Sequence, residues 1–89
     1  LDQKIIIESL AMDLKRFAIG LHRGSFKMAD RFKEEAVKRT GELETCSNNE
    51  YIHKLILSLK QVLRSTGDRV AEDALMFSTL FQNFALKNF

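Results

Sequence analysis

The first 23 residues constrain the fold most, because their apolar side chains recur at the intervals of an α-helix. One set recurs at alternating spacings of three and four, the stripe that an amphipathic helix turns toward its own core. A second set recurs every seven residues and, at about 100° per residue, lies roughly opposite the first. The first set, the inner stripe, is Ile7, Leu10, Leu14, Phe17 and Leu21; the second set, the outer row, is Ile5, Met12 and Ile19.

Few residues in the chain interrupt a helix: there is no proline, and there are four glycines among 89 residues. Long helices are therefore the default interpretation. Periodicity predicts one helix over Gln3–Arg23, a second over Phe26–Arg39, and a third from a cap at Ser47 to about Ser65. A fourth is predicted over Arg69–Lys87, and the one substantial loop is predicted at residues 41–48.

Capping residues support these boundaries. Asp2 is a plausible N-cap of the first helix, since its carboxylate can accept from a free backbone N–H. Gly24 can adopt the left-handed conformation that ends a helix, and Ser25 can cap the next one. The segment from Ser47 to Glu50 has the pattern of a capping box, in which the serine and the glutamate cap each other's backbone N–H groups.

The connections predict the topology. Short turns at residues 24–25 and 66–68 force neighbouring helices to run antiparallel. We therefore expect an all-α, four-helix antiparallel up-down bundle that forms a single domain over residues 1–89. The alternative is one long N-terminal helix to about residue 40 followed by a helical hairpin. Glycines at both 20 and 24 favour the break, because each costs about 1 kcal/mol relative to alanine inside a helix.

Composition excludes several classes of protein. A hydrophobic content of 45% and a charged content of 29% are those of an ordinary globular domain. Apolar runs are no longer than four residues, so no membrane span is expected. The chain has one cysteine, Cys46, which excludes an intramolecular disulfide and favours a reducing, cytoplasmic location.

No catalytic motif is recognisable. His22, Cys46 and His53 lack the spacing of a zinc site, which draws its four ligands from strict motifs. Acidic pairs at residues 34–35 and 72–73 are adjacent in sequence, so their side chains diverge by about 100° on a helix. We therefore predict no catalytic residue, metal or cofactor, and keep a metal-dependent nucleotide hydrolase as the third candidate function.

Positive charge is concentrated in residues 15–39, which carry eight basic and three acidic side chains. Such a stretch can follow a phosphate backbone without reading sequence. Nucleic-acid binding is therefore the second candidate function. The residues proposed to carry it, the basic ridge, are Lys15, Arg16, Arg23, Lys27 and Arg31.

The outer row supplies the leading hypothesis. Apolar residues aligned on one strip need a cover, either a helix of the same chain, a second copy or another protein. We expect a small non-enzymatic helical protein that acts by association, as a homodimer or with a protein partner. The expected interface residues are Ile5, Met12, Ile19, Leu75 and Leu86.

Overall fold

A computed structural model describes residues 2–89 of the chain. Within that range it contains four α-helices and no strand: α1 (Gln3–His22), α2 (Phe26–Cys46), α3 (Glu50–Arg64) and α4 (Val70–Asn88). Each helix packs against the next, and α4 closes the ring against α1. The predicted four-helix antiparallel bundle is confirmed, and it measures 35 × 20 × 19 Å.

The break between the first two helices lies where the glycine predicts it. Gly24 has a φ of 70°, in the left-handed region, and the backbone N–H of Ser25 donates to Gly20 O at 2.9 Å. The alternative of one long N-terminal helix is therefore wrong. The Asp2 cap is confirmed, because its carboxylate accepts from the backbone N–H of Lys4 at 2.9 Å. Ser25 occupies the N-cap position of α2 without a capping hydrogen bond from its side chain.

The second helix is longer than the sequence predicts. It continues through the expected loop at 41–48 and ends at Cys46. Leu43 is fully buried, and Glu44 forms an ion pair with Lys60 of α3 at 2.8 Å. The burial of Leu43 and the ion pair of Glu44 both stabilise the helix beyond Gly41. Together they offset the cost of a glycine inside a helix, about 1 kcal/mol.

The predicted capping box at the start of α3 is also wrong. The N-cap is Asn49, whose side chain accepts from the backbone N–H of Ile52 at 3.0 Å. The hydroxyl of Ser47 accepts from the N–H of Asn49 at 3.3 Å instead. Asparagine and serine cap about equally well. The longer α2 places Ser47 at its C-cap, so the next free capping residue starts α3.

The core lies between all four helices. In the inner stripe, Ile7, Leu10 and Leu14 are fully buried and Phe17 nearly so. Leu21, the last member of the stripe, is partly buried against the same core. The inner stripe therefore belongs to the interior of a single chain.

Small side chains bring α1 close to both of its neighbours. A Cβ built at Gly20 would lie 2.8 Å from the backbone nitrogen of Ala29, so α2 approaches α1 more closely than any larger residue allows. On the opposite flank, the hydroxyl of Ser78 in α4 donates to Ala11 O at 2.7 Å. Both flanks of α1 are closed, which leaves only its outward side open.

Candidate association surface

The outer row lies on that open side of α1. Ile5 is 60% exposed and Met12 is 49% exposed, whereas Ile19 is partly buried. No other helix of the described chain covers Ile5 or Met12. The alternative that a helix of the same chain covers the row does not hold for these two residues.

Met12 stands between two open grooves. The groove between α1 and α2 is lined by Ile5, Ser9, Met12 and Arg16, among others. The groove between α1 and α4 is lined by Glu8, Met12, Lys15, Ser78 and Gln82, among others. The outer row is thus a ridge with polar side chains on both flanks, and each groove contains acidic and basic side chains.

The two leucines expected at the interface lie on the same side of α4. Leu75 is seven residues before Gln82 and Leu86 is four residues after it, so all three share one helix face. Because Gln82 lines the groove beside Met12, that face adjoins the outer row. Leu86 is 74% exposed, while Leu75 is partly buried against the core. Leu86 therefore remains free to contact a partner.

The α1–α2 groove contains an acid that the sequence analysis did not single out. Asp13 is 8% exposed and lies near the guanidinium groups of Arg39 and Arg16 and the carboxylate of Glu35. Burial raises the pKa of Asp13, the two arginines oppose that shift, and Glu35 adds to it. The sequence could have indicated this position, because Asp13 directly precedes Leu14 and therefore lies at the border of the inner stripe.

The basic ridge is exposed but divided. All five of its residues are exposed. The guanidinium carbons of Arg16 and Arg31 lie 5.4 and 5.5 Å from the ring centroid of Phe32, so these two arginines share one aromatic ring. Lys15 lies in the other groove, beyond Met12. The structure brings Arg16 and Arg31 together and places Lys15 on the opposite side of an apolar row.

Metal ligands do not converge in the part of the chain that the structure describes, where no three His, Cys, Asp or Glu side chains form a cluster. His22 is exposed and Cys46 ends α2. The Nε2 of His53 donates to Ser47 O at 2.6 Å, which ties the start of α3 to the connection before it. None of the four helices in residues 2–89 has the length and hydropathy of a membrane span.

Sequence reasoning missed an aromatic cluster at one end of α3 and α4. The rings of Tyr51 and Phe84 stack with centroids 5.9 Å apart, and Phe89 meets Phe84 edge-on at 6.3 Å. Tyr51 and Phe89 remain about half exposed. Because antiparallel helices bring the start of one beside the end of the next, the positions of Tyr51 and Phe84 could have indicated this contact.

Comparison with known proteins adds no assignment. No protein-family model matches the chain, and searches of curated proteins and of solved structures gave no significant match.

Proposed function

We propose that this chain is an association module that binds a second copy of itself through the outer row of α1. The observation that carries the proposal is the contrast on one helix. Ile5 is 60% exposed and Met12 is 49% exposed, while the inner stripe opposite them is closed. Aligned apolar side chains on an otherwise packed helix are typical of an interaction surface.

Association compensates for the small size of the chain. A domain of this length buries only about 60–65% of its unfolded surface, so its own core is limited. Each Å² of apolar surface removed from water contributes about 25 cal/mol.

A second copy fits the charges around the row. Glu8 and Lys15 lie on the same flank of Met12, so a single flank offers both signs. Such a flank is complementary to another copy of itself, as a two-fold interface requires. We propose a reducing, cytoplasmic setting for this function, which a chain with a single cysteine supports.

Nucleic-acid binding is the competing function. The exposed arginines at Phe32 support it, but the outer row separates them from Lys15, and Asp30 and Glu34 lie exposed among the basic residues of α2. A gel shift with mixed RNA and DNA at low and high salt tests it. A band that shifts at low salt and is lost in Arg16→Ala/Arg31→Ala would assign the function to the basic ridge.

The test of association replaces the two exposed members of the row. Ile5→Glu with Met12→Glu is expected to convert a dimer to a monomer in sedimentation equilibrium, because it would place four carboxylates in an apolar interface and bring the two at residue 12 together. The helical circular dichroism signal and the cooperativity of unfolding are expected to be unchanged, since neither side chain belongs to the core.

The matched control is Leu57→Glu with Val37→Glu, which introduces the same two charges at apolar residues of α3 and α2 that are 63% and 53% exposed. We expect this variant to dimerise like the unmodified chain. Equal loss of association in both variants would mean that the effect comes from net charge rather than from the outer row, and would contradict the proposal.

A further inference from the structure

We propose that the two copies pair through α1 in antiparallel orientation about Met12, so that Glu8 of each copy meets Lys15 of the other. This inference rests on the proposed self-association and specifies its geometry. It follows from the position of three apolar and four polar residues around one helix, and from the rotation that relates two identical chains.

The spacing of the outer row gives the centre of symmetry. Ile5 and Ile19 lie seven residues before and after Met12, about 10.5 Å on either side along the axis of α1. A two-fold axis that passes between the copies, perpendicular to α1 at the level of Met12, therefore places Met12 against its own copy. The same rotation places Ile5 level with Ile19 of the second copy, so all three apolar positions find an apolar partner.

The flanks of the row decide the orientation. Lys15 lines the groove on the α4 side, and Ser9 and Arg16 line the groove on the α2 side. Glu8 borders both grooves and, at about 100° per residue, lies about 40° from Met12 on the side of Lys15. In an antiparallel pair, the two-fold rotation brings each flank against the same flank of the other copy. Lys15 of the second copy then lies at the same height along the helix axis as Ser9. Glu8 lies one residue, about 1.5 Å, from that height.

This arrangement forms two equivalent Glu8–Lys15 ion pairs, one at each end of the interface. On the other flank, the guanidinium of Arg16 comes level with Glu8 and within one residue of Ser9 of the second copy, whose hydroxyl can accept a hydrogen bond. No like-charged pair is created between Lys15 and Arg16, because they stay on separate flanks.

A parallel pair gives the opposite result. Its two-fold axis runs along the helices and brings the α4-side flank of one copy against the α2-side flank of the other, in register. Lys15 then meets Arg16 of the second copy, twice, while Glu8 meets the uncharged Ser9. Charge repulsion of this kind is how interfaces reject an orientation, so the charges of α1 favour the antiparallel pair.

Charge reversal distinguishes the two orientations. Lys15→Glu replaces two attractive pairs with two Glu–Glu contacts in the antiparallel dimer. We expect its dissociation constant to rise roughly tenfold at low salt, given the size of exposed ion pairs. The double variant Glu8→Lys/Lys15→Glu restores both pairs with the signs exchanged and is expected to recover most of that loss.

The control for net charge is Lys54→Glu, an exposed lysine of α3. We expect it to leave the dissociation constant within twofold of the unmodified chain. Tighter association of Lys15→Glu would overturn the inference, because only the parallel pair gains from that change. Failure of the double variant to recover would overturn it as well.

Cysteine cross-linking gives an independent geometric test in a Cys46→Ser background. Two cysteines form a disulfide only when their Cα atoms lie within about 7 Å. In the antiparallel pair, two copies of residue 5 are about 21 Å apart along the axis, whereas residue 5 lies beside residue 19 of the other copy. We expect oxidation to cross-link a mixture of Ile5→Cys and Ile19→Cys chains and to leave each variant alone uncross-linked.

The outcomes separate this inference from the function on which it rests. A dimer that cross-links through Ile5→Cys alone would retain self-association and overturn the antiparallel orientation. A dimer that cross-links in neither case would overturn it too. If the unmodified chain sediments as a monomer at every concentration, self-association itself fails.

Discussion

The two apolar faces of α1 look alike in sequence and differ in how far the structure buries them. The inner stripe, represented by Leu14, is fully buried, whereas Ile5 and Met12 of the outer row are 60% and 49% exposed. Periodicity indicates which residues share a face of a helix, but it does not indicate which molecule covers that face. The difference shows that one chain closes three sides of α1 and leaves the fourth side exposed.

The packing on the two flanks of α1 explains why its outward side stays exposed. Gly20 faces Ala29 of α2, and Ala11 accepts a hydrogen bond from Ser78 of α4. Small residues on both flanks allow two helices to approach closely, so neither is displaced far enough to cover the outward side. A helix held in this way is central to its own bundle and still apolar on its surface.

The largest expected effect is the difference in lost stability between substitutions on the two faces of α1. Leu14→Ala removes a fully buried side chain and is expected to lower the free energy of unfolding by about 3 kcal/mol, since the core leaves a cavity behind. Met12→Ala, measured by urea denaturation at a concentration where the chain is monomeric, is expected to cost less than about 0.5 kcal/mol. Similar costs at both positions would mean that Met12 belongs to the core of one chain.

A second prediction tests the close approach of α2 that keeps the outward side open. Gly20→Ala places a Cβ 2.8 Å from the backbone nitrogen of Ala29, and we expect it to lower the free energy of unfolding by about 1–3 kcal/mol. The matched change Gly41→Ala meets nothing within 4 Å and is expected to stabilise the chain by about 0.5–1 kcal/mol. Thermal unfolding of the pair should therefore give shifts of opposite sign.

The smallest expected effect concerns Asp13, on the border between the two faces. Burial raises the pKa of this carboxyl above its usual value of 3.8, so the folded chain binds the proton more tightly than the unfolded chain. The contribution of Asp13 to stability therefore improves as pH falls through its folded pKa toward 3.8, and is lost as pH rises through the folded pKa.

Asp13→Asn removes this pH dependence. We expect the variant to be more stable than the unmodified chain at pH 7 and to lose that advantage as the pH approaches 4. Urea denaturation across this range measures the difference, with the exposed Asp30→Asn as the control. A variant that is less stable at pH 7 would show that the arginines beside Asp13 outweigh its burial.

Local patterns predicted the helices, and contacts between helices account for the errors. The inner stripe, the break at Gly24 and the cap at Asp2 depend on residues a few positions apart, and all three are confirmed. The expected loop at 41–48 was wrong because Leu43 packs into the core and Glu44 pairs with Lys60 sixteen residues away. No local pattern reports such a partner.

The candidate surface was predictable only in part, because some of its features also depend on contacts between helices. A spacing of seven located Ile5 and Met12 on the outward side of α1. The sequence did not show that Arg16 and Arg31 share Phe32 while Lys15 lies across the row, since that depends on how α2 and α4 sit against α1. The degree to which Ile19 and Leu75 are already buried also depends on these neighbours.

Sedimentation equilibrium of the unmodified chain over a hundredfold range of concentration tests the central claim most directly. A second copy over the outer row predicts an apparent mass that rises with concentration from one chain to two and goes no further, as a closed two-fold interface requires. A mass that stays at one chain throughout would contradict the account, because Ile5 and Met12 would then remain in water without a partner.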